Sequence, residues 1–201
     1  FVDRDGKFQL GMLSTSAFKP LAASMGPMLK EESFHLGTGS NGLRRIIKAG
    51  VIPLDMLQRY MNKWVATAHD LFGTDSSTSA HWAYVWGVKG RWDERKKLDA
   101  EIDVNKEVLN EEGRGHYHEE IVREVQKLNG YLPEDCGVTL YVPHENFHRD
   151  IGAFGGKKCY TDGSLFEGSD EEYDAYLKTV LPTPEDEEAL KEIFKQQWIQ
   201  D

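Results

Sequence analysis

Glu32 and His35 are the residues from which chemistry can first be argued, because this E-x-x-H pair sits where a helix should present its apolar stripe. Stepping alternately four and three residues from Leu21 gives Leu21, Met25, Met28, Glu32, His35, Gly39, Gly42 and Ile46, the spacing of a buried helical seam. A carboxylate and an imidazole in such a seam are costly unless they are paired, hydrogen-bonded or bound to a metal. Metal ligation satisfies both groups at once, and the i, i+3 spacing puts both on one side of the helix. A hydrogen-bonded core pair without metal is the alternative and stays open.

A companion lies upstream. Asp3 begins a second seam through Gly6, Leu10 and Leu13, and the midpoint between Asp3 and Glu32 falls at residues 17 to 18. There the chain reads Ser14-Thr15-Ser16-Ala17-Phe18-Lys19-Pro20, helix-capping residues followed by a proline suited to a first turn. An antiparallel hairpin bent at that point brings Asp3 level with Glu32 and His35. Two carboxylates and one imidazole are half of what a di-iron carboxylate bundle uses, and a glutamate with a second E-x-x-H from another helix pair would complete it.

The elements that position these groups read as mainly helical. Gly37, Gly39 and Gly42 follow the ligands and either break the second helix or let a neighbouring backbone or substrate approach. Gly26-Pro27 lies inside the same helix, where a proline removes a hydrogen bond and should kink it. Leu54, Leu57, Met61, Trp64, Ala68 and Leu71 predict an amphipathic helix over 54–72 with Trp64 and Met61 in the core. Residues 74–79 read as a cap-rich loop, 80–88 as a short aromatic helix, 89–115 as loop and solvated helix, and 118–129 as helix. His116 and His118, beside two glycines, are expected to be exposed. Val138 to Val142 is a β-branched and aromatic run ending at Pro143, and so a strand, with a second extended segment near Cys159-Tyr160. Residues 185–198 complete the pattern as a helix with an acidic first turn.

Other constellations carry less. His144-Glu145-Asn146-Phe147-His148 matches H-E-x-x-H, but Pro143 and Gly152 leave it too little room for the long helix that zinc ligation needs. His144 and His148 are instead expected to anchor the later residues to the helices. Asp3-Arg4-Asp5-Gly6 opens like a calcium loop, yet Ser14 stands where the closing glutamate belongs. Lys89, Arg91, Arg95, Lys96 and Lys97 form a basic cluster, by default a solvated face.

Composition bounds the class. In 201 residues, 39% hydrophobic content and a net charge of −10 are lean and acidic for a self-contained domain, which suits a piece of a larger soluble enzyme and argues against a nucleic-acid partner. The chain opens without a methionine, which suggests a longer sequence. No window approaches a membrane span or a signal peptide, and two cysteines without C-x-x-C suit a reducing cytoplasm, so a cytoplasmic location with no membrane partner is expected.

Asp3 to Leu10, then Glu31-Glu32-Ser33-Phe34-His35, then Val142-Pro143-His144 with Phe147-His148-Arg149 and Ile151-Gly152, then Pro182 to Asp186 occur in the order and approximate spacing of one family. The chain resembles the later portion of the oxygenase component of benzoyl-coenzyme A epoxidase. That resemblance implies half of a ferritin-like di-iron bundle over residues 1–131, followed by a small α/β appendage with a terminal helix over 132–201. It implies two irons held by Asp3, Glu32 and His35 together with ligands outside this chain, and catalytic roles for Glu32 and His35. Its reaction is epoxidation of the ring of benzoyl-CoA with dioxygen and electrons from a separate flavin and iron–sulfur reductase. Gly6 and Met28 would shape the wall beside the metals. Lys89 and Arg91 would be the first place to seek contacts with the coenzyme A phosphates, and Gly39 a point of substrate approach. A related oxygenase on another acyl-CoA, such as phenylacetyl-CoA, and a non-catalytic scaffold subunit are the alternative readings.

Overall fold

The turn expected between residues 14 and 20 is present in the computed structural model, which describes residues 1–93 and 107–196. Helix α1 (Val2–Leu13) ends where the Ser14 N–H returns to the Leu10 carbonyl, and the Ser16 hydroxyl accepts the Phe18 N–H at 3.2 Å. Helix α2 (Lys19–Ala49) then places Pro20 in its first turn, where a missing N–H is harmless. It runs unbroken through Pro27, Gly37, Gly39 and Gly42, so of the two readings of the glycines a break in the helix is excluded. A Cβ added at any of those three glycines would meet nothing within 4 Å, so no neighbouring backbone among the described residues uses the space. Gly50, at φ +65°, closes the helix in the left-handed region that glycine favours.

Helix α3 (Leu54–Leu71) matches the predicted span, but its buried face is rotated from the predicted stripe. Met61, Val65 and Ala68, with Phe72 beyond the helix, pack against Phe8, Ile47 and the residues Tyr117, Ile121, Val125 and Leu128 of helix α5 (Asn110–Asn129). Trp64 and Leu71, expected in the core, are 44% and 53% exposed. The short helix α4 (Thr78–Val85) is capped by the Ser77 hydroxyl and buries none of its residues.

Helix α5 begins eight residues before the predicted start at 118, for a reason local periodicity does not carry. The Asp75 carboxylate accepts the N–H groups of Leu109, Asn110 and Glu111 at 2.8 to 3.0 Å, capping the helix from a distant part of the chain. Gly113, read as punctuation, is instead a packing position: a Cβ there would lie 2.8 Å from Met12 Sδ and 3.3 Å from the Phe72 ring. His116 and His118 are not exposed as expected; His116 lies 2.7 Å from the Glu112 carboxylate, and His118 faces His69.

Residues 138–142 form no strand; the one β-type pairing among the described residues is the isolated bridge between Cys159 and Leu165. Side-chain amides stand in for a neighbouring strand. Asn129 donates to the Leu140 carbonyl at 2.8 Å and accepts the Leu140 N–H at 2.9 Å, while Gln58 does both for Tyr141 at 2.9 Å. The later residues also hold two helices, α6 (Asp170–Val180) and α7 (Pro184–Phe194), each opened by a capping box, Ser169 with Glu172 and Thr183 with Asp186. Helix α6 was not anticipated, although the Ser169-x-x-Glu172 signal was legible. The bidentate pair between Arg59 and Asp186, at 2.8 and 2.5 Å, ties α7 back to α3. Cys136 and Cys159 are free, and no helix among the described residues is long and apolar enough to cross a membrane.

The H-E-x-x-H run folds as successive turns rather than a helix, with His148 at φ +47°, so the rigid spacing that zinc ligation needs is absent. Both of its histidines are exposed, and neighbouring side chains reach the helices. Glu145 takes the Arg114 guanidinium at 3.1 Å, and Arg149 is paired with Asp70, whose other oxygen accepts the Asp150 N–H. Beneath this corner His69, fully buried, places Nε2 3.2 Å from His118 Nδ1 and leaves its own Nδ1 without a hydrogen-bond partner.

Two predictions follow from this packing. Replacing Asn129 with Leu leaves the buried Leu140 N–H and carbonyl unpaired and should lower the unfolding free energy by about 1–3 kcal/mol in urea titration; an unchanged midpoint would mean the amide clamp contributes nothing. The second concerns acid. Burial, then the positive charge of His118, Arg149, Arg114 and His144, holds the His69 pKa well below its ordinary value. The unfolded chain takes up a proton near pH ~6.5 that the folded chain refuses, so stability is complete above that pH and falls as pH drops through it. Stability should therefore decline between pH 7 and pH 5 less steeply in His69→Phe than in the parent protein, and equal slopes would refute the assignment.

Candidate metal centre and its apolar pocket

The hairpin of α1 and α2 brings the two acidic positions together through a missing side chain. A Cβ on Gly6 would lie 3.2 Å from Glu32 Oε1, so glycine at this point of α1 is what lets the Glu32 carboxylate rest against the opposite helix. Glu32 Oε2 is buried without a hydrogen-bond partner, and His35 Nδ1 stands 4.0 Å from it. The Glu32 pKa is raised, first by burial and then by the negative charge of Asp3, with His35 acting in the opposite direction. An orphaned carboxylate beside a second carboxylate and an imidazole is a donor set suited to a cation. It is an incomplete one: among the described residues no group of three or more His, Cys, Asp or Glu side chains could hold a metal ion. Asp3 is exposed, and the His35 side chain is 46% exposed. Much of the predicted seam is likewise open, with Met28 at 44% and the neighbouring Phe34 at 74%.

The seam reading missed Asp5. It is 4% exposed, and its pKa is raised to about 6 by burial, against a hydrogen bond from Gln9 and the charge of Lys89, with Glu32 adding to the rise. Its place one turn before Phe8, on the face continued by Met12, was the available signal; the stripe through Asp3, Gly6 and Leu10 drew attention to the adjacent face.

The basic residues proposed for phosphate contact turn inward. Lys89 donates to Gln9 Oε1 at 2.8 Å and to Asn110 Oδ1 at 2.6 Å, and its pKa is lowered by burial, with Asp5 and Asp75 opposing. Arg91 is 9% exposed and holds Asp93 in two hydrogen bonds at 2.7 and 2.8 Å, with Glu112 at 3.7 Å. Neither residue presents a solvated cationic face. Arg95, Lys96 and Lys97 lie outside the described residues.

Beside the metal-ligand candidates lies an apolar pocket of about 480 Å³, and Asp3, His35 and Gly39 all line it. Its walls are Leu36 and Leu43 of α2, Leu57, Met61 and Trp64 of α3, and Leu128 of α5. Tyr60, Arg4 and Glu124 add polar groups. Lys89, Arg91 and Met28 are not among its lining residues. Two of the three expected ligands and one of the three expected substrate contacts therefore share a concave, mainly apolar site of the size that binds small molecules.

No family model matches the chain. Benzoyl-CoA oxygenase component B from Aromatoleum evansii is 33% identical to it over 92% of this chain. The match takes in 47% of that relative, so the chain spans about half the length of the protein it resembles. The likeness extends over nearly the whole chain, and a part of benzoyl-CoA oxygenase component B is what the chain is similar to along that stretch.

Proposed function

We propose that this chain is part of a di-iron oxygenase, built on a ferritin-like bundle, that epoxidises the ring of benzoyl-CoA with dioxygen and electrons from a separate reductase. The observation that carries the reading is the orphaned Glu32 carboxylate, held against Gly6 with His35 beside it, at the edge of an apolar pocket that Asp3 and His35 line. Asp3, Glu32 and His35 would hold iron, and the remaining ligands would come from outside the described residues, as expected of a chain spanning 47% of its relative. When bound, an iron pair supplies the redox chemistry that activates dioxygen. The chain's own residues do the rest. Gly6 sets the position of the Glu32 carboxylate, His35 supplies a nitrogen donor, and Leu36, Leu43 and Leu57 keep water from the pocket. The relative's name makes it one component of an oxygenase system, which supports a reductase as companion.

The alternative reading is a scaffold subunit without productive iron. Iron content separates the two. The 201-residue chain alone should purify with little iron. Assembled with a segment supplying a glutamate and a second E-x-x-H, it should take up about two irons per site. His35→Ala in that assembly should lose at least one iron and all epoxide formation while its helical circular dichroism is retained. Two irons bound by the isolated chain would refute the half-site assignment, and an assembly that stays iron-free would favour the scaffold.

Gly6 offers an independent check. Gly6→Val should displace the Glu32 carboxylate and weaken Co(II) binding to the assembly by at least tenfold, read from ligand-field absorption. Unchanged cobalt affinity would show that the close approach of Glu32 to α1 plays no part in metal binding.

A further inference from the structure

His69 of α3 and His118 of α5 turn nitrogen to nitrogen across the space between their helices. His69 Nε2 stands 3.2 Å from His118 Nδ1, and the ring centroids are 5.3 Å apart. Those two distances place the facing nitrogens close to the line that joins the rings. His69 is fully buried and His118 half-buried, so the pair has a dry end and an end toward solvent. Neither residue lines the apolar pocket or belongs to the candidate iron ligands.

Both rings are kept in the form that binds metals. Burial, followed by the charges of His118, Arg149, Arg114 and His144, holds His69 well below its ordinary pKa. His118 is also lowered, chiefly by burial and against the pull of Glu145. The two imidazoles are therefore neutral at neutral pH, and a neutral imidazole nitrogen is a metal ligand where an imidazolium is not.

The surroundings select the kind of ion. Glu145 and Glu119, whose charge reaches His118, are themselves paired, the first with Arg114 at 3.1 Å and the second with Arg123 at 3.8 Å. Asp70 is paired with Arg149 and accepts the Asp150 N–H. These carboxylates are committed, so little negative charge is left to offset a divalent ion brought into the core. Among the described residues no third His, Cys, Asp or Glu joins the pair as a metal group, whereas zinc asks for four donors. Copper(I) carries one charge, accepts two nitrogen donors in line, and is well suited to imidazole. To admit it, the rings need only part along the line that joins them.

We propose that His69 Nε2 and His118 Nδ1 form a two-coordinate site for Cu(I) that clamps α3 to α5 beneath the corner held by Arg149 and Asp70. The site uses none of Asp3, Glu32 and His35, and it stands apart from the oxygenase reading.

The test is an anaerobic titration of the 201-residue chain with Cu(I) against bicinchoninate as competing chelator. It is run in a His35→Ala background, which removes the imidazole of the candidate iron site from contention. One Cu(I) per chain should be retained, with an X-ray absorption edge showing two nitrogen donors in line, and the melting temperature should rise. His69→Phe and His118→Gln should each weaken Cu(I) binding by at least tenfold and abolish that rise. His116→Gln, on the same helix as His118, should leave both unchanged. His118 is half-buried, so its variant keeps the test readable if His69→Phe fails to fold. Copper lost entirely to the chelator, or held equally well by His118→Gln, would overturn the proposal. So would an absorption spectrum showing three or more donors, or displacement of the copper by equimolar Zn(II), because either would require ligands beyond the pair.

Discussion

Close approach of neighbouring helices to α1 is the constraint on which the rest of the structure depends. Two glycines permit it from different directions. Gly6 on α1 makes room for the Glu32 carboxylate of α2, and Gly113 on α5 makes room for Met12 of α1. With those contacts made, Phe8 can sit in the core against Tyr117, at a ring separation of 6.2 Å, and near Ile47 and Val65. Arg4 and Lys7 reach Glu120 of α5, fixing how the two helices slide along each other. Close-packed interiors tolerate little added volume, so a side chain at either glycine would disturb the metal-facing or the core-facing side of α1.

Burying a helix this acidic in its first turn creates an electrostatic debt that the fold meets with inward-facing cations. Asp5 lies against Gln9 and within the field of Lys89, and Lys89 is itself held by Gln9 and Asn110. Arg91 closes a similar set with Asp93 and Glu112. Lys89 and Arg91, which read from the sequence as part of an anion-binding face, are thus members of internal polar networks in the folded protein.

The later residues attach to the helices by polar contacts rather than by a shared sheet. Asn129 and Gln58 satisfy the backbone at Leu140 and Tyr141, Arg59 holds Asp186, and Asn62 donates to the Val180 carbonyl at 2.9 Å. Buried backbone groups must be paired with something, and amide side chains carry the same donor and acceptor as a peptide. A β-branched run that would normally add a strand is thus accommodated without one. The aromatic rings of Tyr160, Phe166, Tyr173 and Tyr176, with centroids 5.0 to 6.1 Å apart, form a separate apolar cluster under α6.

What the sequence by itself determined is what depends on neighbours along the chain. The helical period put Glu32 and His35 on one side of α2, the cap residues and Pro20 located the hairpin, and the symmetry of that hairpin paired Asp3 with Glu32. The helix over 54–71 and the acidic start of α7 were legible for the same reason. Only the tertiary structure decided that Asp5 is buried while Asp3 is exposed, that Trp64 faces a pocket rather than the core, and that Lys89 and Arg91 point inward. It also decided where α5 begins, since its cap comes from Asp75. In each of these cases the residue's fate is set by what packs against it from a distant segment. A periodic stripe marks an amphipathic helix well but fixes its rotation only to within a residue, and that single step separates a buried carboxylate from a solvated one.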